Sequence, residues 1–392
     1  MCPSGGHAAG SPPAPAVRTE FAVVGGGITG LSAAWALHRL GRDVVVLEQA
    51  TVGHAGGGSH GACRIFRLGY DDPQYVTLAL RARALWTEAE QDSGERLLHP
   101  TPQLTFGPQL PAVRDAMLFA GAACEQLGRG QAAERFGGIA TVGPVLLEPE
   151  SAVIAADRAL AALAALAGLP DQAGRTGLPA EGVRVTALAD DGRRVMLRTS
   201  AGDVEARRAI VCAGPWTAGL LASAGIALPA EASLEQVAYL SPAAARPDMP
   251  IFVHYGGEFP YGLPVPGSAW YKIGIHHGGP AVHPDHQDQA ADAALGLRIE
   301  DAARRILPAH DPHPVAVERC VYDNSPDTDF VVDRIGNVVI GAGTSGHGFK
   351  FGPLLGAWLA WLATSGTGRR PASWPAAPWP AEPPARFALS RF

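Results

Sequence analysis

Lysine is almost missing from this chain: of 31 basic residues only Lys272 and Lys350 are lysines, and all the others are arginines. Arginine cannot stand in where a compact ammonium, or an amine of adjustable proton affinity, must sit close to a reacting atom. The two survivors therefore stand out, although chance in a biased composition accounts for them equally well until their neighbours are considered. Cysteine is scarce as well. The five present (Cys2, Cys63, Cys124, Cys212 and Cys320) lack metal-ligand spacing, and their odd number argues against a disulfide framework. No metal site is expected. Excess charge is lacking too: 17% of residues are charged, the net charge is -6, and no long basic run occurs. Nothing in this composition attracts nucleic acid or an anionic lipid surface. No apolar run reaches the roughly 20 residues that span a bilayer, since the alanine-rich stretch around Leu160 is broken by glycine and proline. Residues 1–18 have no apolar core of the kind a secretory signal carries and read as a disordered leader, so a cytoplasmic protein is expected.

What remains is an apolar chain of 392 residues, long enough for two well-filled domains. Organisation is clearest near the start. Residues 20–25 (EFAVVG) read as a strand, GGGITG at 25–30 matches G-x-G-x-x-G, LSAAWALHRLG reads as a helix ending at Gly41, and DVVVLE gives a second strand ending in Glu48. Gly25, Gly27 and Gly30 let the backbone turn tightly and approach a pyrophosphate at the helix N-terminus, and Glu48 stands where a ribose diol would donate to it. This βαβ unit indicates a dinucleotide without distinguishing FAD from NAD.

A second glycine-rich unit follows late in the chain. Val338–Ile340 reads as a strand, a loop with Gly343, Gly346 and Gly348 comes next, and a helix is entered through Pro353. Such a loop offers N–H groups and a positive dipole end to an anion, although a plain strand-to-helix turn would also suit it. RRAIVCAGPWT at 207–217 reads as the closing strand of the same domain, with Cys212 in its core. The predicted fold is α/β: a Rossmann-like dinucleotide-binding domain (19–95, 150–231 and 318–392) carrying an inserted α+β substrate domain (96–149 and 232–317) on a mostly antiparallel sheet.

Alternation along the strand 270–276 puts Trp270, Lys272, Gly274 and His276 on one face and Tyr271, Ile273 and Ile275 on the other. Cys320 and Tyr322 share a face in the same way. A polar cavity wall is one reading of these pairs, and a satisfied core histidine with a buried thiol is the other.

Taken together, RCVYDNSPDTDFVVD, GAGTSGHGFKF, SHGACRIFRLGY (59–70) and YGLP…YKIGIHH (261–277) resemble the monomeric sarcosine oxidase family, which includes N-methyltryptophan and pipecolate oxidases. The likeness runs from about residue 20 to the C-terminus. It implies FAD, joined covalently to the sulfur of Cys320. It implies that Lys272 meets O₂ beside the flavin, where a fixed ammonium stabilises the oxygen anion as it forms, and that Arg67 and Lys350 hold a substrate carboxylate. Tyr261, His276 and Tyr322 match positions near the substrate, and His60 and Arg64 positions near the flavin. One departure is Asp323, where the family commonly has a hydroxyl, which would alter the charge of the substrate pocket.

The implied partners are a small amine or amino acid and O₂, acting on a monomer. The implied reaction moves a hydride equivalent from the carbon beside a neutral amine nitrogen, leaving an imine that hydrolyses, with hydrogen peroxide as the second product. An N-methyl amino acid is the leading substrate. A cyclic amino acid of the pipecolate or proline type, a larger natural-product amine, and a flavin dehydrogenase that hands electrons to a carrier are the alternatives.

Overall fold

The computed structural model describes residues 17–168, 181–242, 249–365, 379 and 382–392. The predicted leader lies outside the described residues apart from Val17 and Arg18, which begin the first strand and pair with Val204 and Glu205.

Apolar runs of β-branched residues form the centre of the first sheet, as expected where both faces are covered. Val17–Val24 lies between Val44–Leu47 and Val204–Val211, in parallel with both, and Val338–Ala342 adds a further parallel strand beyond Val204–Val211. Val331–Ile335 and the hairpin Val185–Asp190/Val195–Thr199 complete it with antiparallel pairings. The strand read as closing this domain is thus an inner strand. Its neighbour on one side comes from the far end of the sequence, which local pattern does not reveal.

Two helices cover one face. Ile28–Arg39 follows the first glycine-rich turn, and Gly352–Thr364 follows the second. They pack backbone to backbone: a methyl group at Gly356 would lie 2.4 Å from the Ser32 carbonyl carbon, so glycine there is what lets the second helix seat. Trp35 and Trp358 are fully buried in the resulting core.

The second sheet has eight strands, in the order Ala316–Asn324, Glu231–Leu240, Tyr271–Ile275, Pro260–Pro264, Ile251–His254, Gln103–Phe106, Val145–Glu148 and Glu125–Leu127. All neighbours are antiparallel except Ile251–His254 with Gln103–Phe106, so the sheet is mixed. The boundary drawn at residue 318 falls inside Ala316–Asn324, which pairs from Ala316 to Asn324 with Glu231–Tyr239. Cys320 and Tyr322 therefore project from this second sheet. A small third sheet joins Cys63–Phe66, Ala152–Ala155 and Leu98–Pro100. Among the described residues no helix is long and apolar enough to cross a membrane, and no cluster of His, Cys, Asp and Glu has the form of a metal site.

Candidate active site

Two cavities meet between the sheets. The larger, of about 990 Å³, runs past Gly25, Gly27 and Glu48 at the carboxyl ends of the parallel strands. The smaller, of about 160 Å³, is lined by Arg64, Arg67, Tyr261, Lys272, His276, Cys320, Tyr322, Gly346, Gly348 and Lys350. Gly58, Cys212, Gly214 and Pro215 line both, so the two spaces are continuous.

The larger space fits the nucleotide half of a dinucleotide. Gly25 has φ +106°, and a methyl group on it would lie 2.4 Å from the Cys212 carbonyl oxygen; one on Gly30 would lie 2.0 Å from the Gly25 oxygen. No side chain can replace hydrogen at either place. The helix Ile28–Arg39 starts at Gly27 without a side-chain cap and with no acidic residue in its first turn, leaving its dipole end to a ligand. Glu48 is buried at the tip of its strand, accepts from the Gly26 amide at 2.7 Å and from Ala50 at 2.9 Å, and borders the cavity.

The smaller space collects cations. Lys272 and His276 point into it, while Tyr271, Ile273 and Ile275, on the other side of the strand, enter a hydrophobic core with Leu295 and Ile299, as alternation predicts. Lys272 is 3% exposed; its Nζ donates to the Cys63 carbonyl at 3.3 Å and lies 5.5 Å from the Tyr239 ring centre. Burial, then the charge of Arg64, lowers its proton affinity. Lys350 donates to the Tyr70 hydroxyl at 3.0 Å and to the His347 carbonyl at 2.9 Å. Burial, reinforced by Arg67, pushes it well below the ordinary lysine range. Arg67 donates to the Gly69 carbonyl and the Tyr255 hydroxyl, and its guanidinium stands 4.1 Å from the centre of the Tyr70 ring.

Arg64 ties the preceding loop together, donating to the carbonyls of Gly58 at 3.2 Å, His60 at 2.5 Å and Cys63 at 3.0 Å. His60 has its Nδ1 3.0 Å from the Gly57 carbonyl, and burial lowers its proton affinity. Among the described residues none of Arg64, Arg67, Lys272 and Lys350 has a carboxylate within ion-pair distance. Burying charge without a close partner is costly; Glu148 near Arg67 and Glu318 near Lys272 offset part of that cost, and the arrangement favours an anion brought by a ligand.

The opposite wall is aromatic. Tyr322 and Tyr261 both line it, and the Tyr322 ring rests on Gly346, where a methyl group would lie 2.1 Å from it. Gly343, Ser345 and Gly346 all have positive φ, which folds the loop sharply beneath that ring. The His276 ring lies 5.7 Å from Tyr322 and 5.3 Å from Phe259, and burial holds its imidazole well below the usual histidine range, hence neutral. Cys320 is buried; desolvation raises its thiol, opposed by Arg64 and Lys272.

Asp323 also borders the smaller chamber, from the opposite face of its strand to Tyr322. Strand alternation turns it the other way, beneath the glycine-rich loop, where its Oδ1 accepts from the Thr344 hydroxyl and its backbone oxygen accepts from the Ser345 amide at 2.9 Å. Burial raises its proton affinity, which diminishes the negative charge it brings to the chamber. Tyr255, Tyr70 and Phe259 line or support the site without having been singled out. Tyr70 closes the quoted SHGACRIFRLGY segment, but Tyr255 and Phe259 sit in irregular chain where periodicity is silent.

A dinucleotide groove opening into a buried cationic chamber defines a nucleotide-dependent redox protein. The chain belongs to the FAD dependent oxidoreductase family, whose model matches residues 20–362. It is 32% identical to the peroxisomal sarcosine oxidase of Mus musculus over 96% of this chain and 98% of that one. It is 29% identical to the monomeric sarcosine oxidase of Bacillus sp. (strain NS-129), over 88% and 93% of the two chains. Among solved structures it is similar to the open form of NikD, an unusual amino acid oxidase essential for nikkomycin biosynthesis. The TM-score is 0.79 at 27% identity, covering 91% of this chain and 97% of that one.

Proposed function

We propose that this protein is an oxidase of a small secondary amine bearing a carboxylate, an N-methyl amino acid first, with FAD attached through Cys320 Sγ and O₂ as the electron acceptor. The observation that carries the reading is the convergence of Lys272, Cys320, His276, Arg67 and Lys350 on one small chamber continuous with the dinucleotide groove. Bound there, FAD supplies a two-electron acceptor.

Arg67 and Lys350 hold the substrate carboxylate, one as a fork and the other as a point charge. Neutral His276 can share a hydrogen bond with the amine without repelling a cation, and Tyr261 and Tyr322 wall the amine side against water. Removing hydride from the carbon beside nitrogen requires the amine lone pair, so the free amine reacts; catalysis should rise with pH as the bound amine loses its proton. Lys272, buried and with no carboxylate in ion-pair contact among the described residues, stabilises negative charge on oxygen as O₂ is reduced.

The deciding experiment denatures the purified protein in acid and asks whether yellow flavin precipitates with the polypeptide, in the wild type and in Cys320→Ala. Colour retained only by the wild type supports the attachment; colour lost from both removes Cys320 from the site. Peroxide release on a panel of N-methyl and cyclic amino acids then tests the substrate class, and formaldehyde separates the two, because a ring imine yields none. Substrate-dependent reduction of an artificial acceptor without peroxide would instead mark a dehydrogenase.

A further inference from the structure

A buried acid at the back of the chamber has no part in the chemistry described so far. Glu148 ends the strand Val145–Glu148 and is fully buried. Its carboxylate accepts from four donors: the Gly69 amide at 2.8 Å, Gln103 Nε2 at 2.8 Å, the Thr105 hydroxyl at 2.5 Å and the Ser151 hydroxyl at 3.3 Å. Gln103 is its cross-strand partner, and Thr105 is two residues along, on the same face. The sheet therefore fixes the carboxylate from one side and leaves Oε2 for Gly69.

Gly69 is the link to the site. Its amide is held by Glu148, and its carbonyl accepts from both Arg67 and the Tyr255 hydroxyl, the latter at 3.0 Å. Tyr255 also receives a hydrogen bond from Arg67 and packs edge-on against Phe259 with ring centres 4.6 Å apart. One residue, through its amide on one side and its carbonyl on the other, thus passes the rigidity of the sheet to the guanidinium. The approach is so close that a methyl group on Gly69 would lie 2.3 Å from Glu148 Oε1.

We propose that Glu148 is a positioning residue for Arg67: through Gly69 and Tyr255 it aims the guanidinium at the carboxylate subsite, and it supplies buried negative charge that acts on Arg67. The proposal rests on the reading of Arg67 and Lys350 as the carboxylate-binding pair. A glutamine at 148 keeps the shape but turns one acceptor into a donor, which then opposes either the Gly69 amide or the Gln103–Thr105 donors. Arg67 stays in place chemically and loses its fixed geometry.

The test uses the flavin-loaded enzyme and acetate as the probe, with binding followed by the change in flavin absorbance during titration. Glu148→Gln should weaken acetate at least about tenfold and raise KM by a similar factor, with kcat falling less than about threefold, as loss of uniform carboxylate binding requires. Gly69→Ala provides a second variant that retains Glu148 and its sheet donors while pushing the linking peptide away; it should shift acetate binding in the same direction. A merely structural role would lower the melting temperature of both variants and leave acetate affinity per folded enzyme unchanged, which would overturn the proposal. Arg67→Gln separates the two levels. If it abolishes acetate binding and Glu148→Gln and Gly69→Ala do not weaken it, the positioning role fails alone. If Arg67→Gln binds acetate normally, the carboxylate reading itself falls, and the positioning role with it.

Discussion

Arg67 and Lys350 share the ring of Tyr70: the guanidinium stands 4.1 Å from its centre and the ammonium donates to its hydroxyl at 3.0 Å. Both cations are buried against one aromatic residue, and burial first, then repulsion by Arg67, lowers the proton affinity of Lys350, the weaker base. An anion between them relieves the repulsion and favours the protonated lysine. Acetate affinity should therefore decline as pH rises from about 6 to about 10, beginning below the ordinary lysine pKa of about 10.4, and binding should take up a proton where Lys350 is partly neutral. Lys350→Met should bind weakly and lose this pH dependence. Acetate titrations across the range check it; a wild-type affinity that rises with pH would contradict it.

Lys272 is separated from that pair in the chamber and is assigned a different half of the reaction. Lys272→Met should slow reoxidation of the reduced enzyme by O₂ by about 10²- to 10³-fold, the size of effect seen when a preorganised charge is removed from a developing anion. Anaerobic reduction by substrate should change by less than about threefold in comparison. Stopped-flow measurement of each half separates them, and an equal loss in both would assign Lys272 to substrate binding instead.

How far the sequence disclosed this follows from what holds each part. The two glycine-rich turns were legible because each is a local solution to a local problem, namely a strand, a tight turn and a helix end within about 30 residues. The facing of Lys272 and His276 was legible because strand alternation is strict. The inner position of Val204–Val211 was not, since it depends on Val338–Ala342 arriving from more than a hundred residues away. The surroundings of Asp323 were not legible for a related reason: alternation sets it on the opposite face from Tyr322, but the Thr344 hydroxyl that it accepts from lies in the loop 21 residues on. Tyr255 and Glu148 reach the site through a single peptide at Gly69, a contact that leaves no periodic trace.

The two ends of the first glycine-rich turn should fail differently. A methyl group at Gly30 meets the backbone oxygen of Gly25 at 2.0 Å, whereas one at Gly27 meets nothing nearer than the Ser59 hydroxyl at 3.1 Å and borders the nucleotide groove. Gly30→Ala should therefore lower the melting temperature of the flavin-free protein, at a cost of about 1–3 kcal/mol or more for the displaced turn. Gly27→Ala should fold normally and lose flavin content. Thermal denaturation of the flavin-free proteins and flavin absorbance of the proteins as purified distinguish the two, and equal melting temperatures would dissociate Gly30 from the packing of the turn.

Acid stability offers a check on the neutral imidazoles. Burial holds His276 and His347 well below the usual histidine value, reinforced first by His277 for the one and by Lys350 for the other. In the unfolded chain both protonate near pH 6.5, so below that pH the unfolded state binds more protons than the folded one and stability falls with falling pH. Each contributes a slope of about 1.4 kcal/mol per pH unit, from about pH 6.5 down to its own folded value. Above pH 6.5 neither contributes. His276→Asn should therefore show a shallower loss of stability between about pH 6.5 and about pH 5 than the wild type, whatever its stability at pH 8. Denaturant melts at matched pH values measure both slopes. Parallel curves would mean that His276 takes up its proton in the folded chamber as readily as in water, and its assignment as the neutral partner of a substrate amine would go with them.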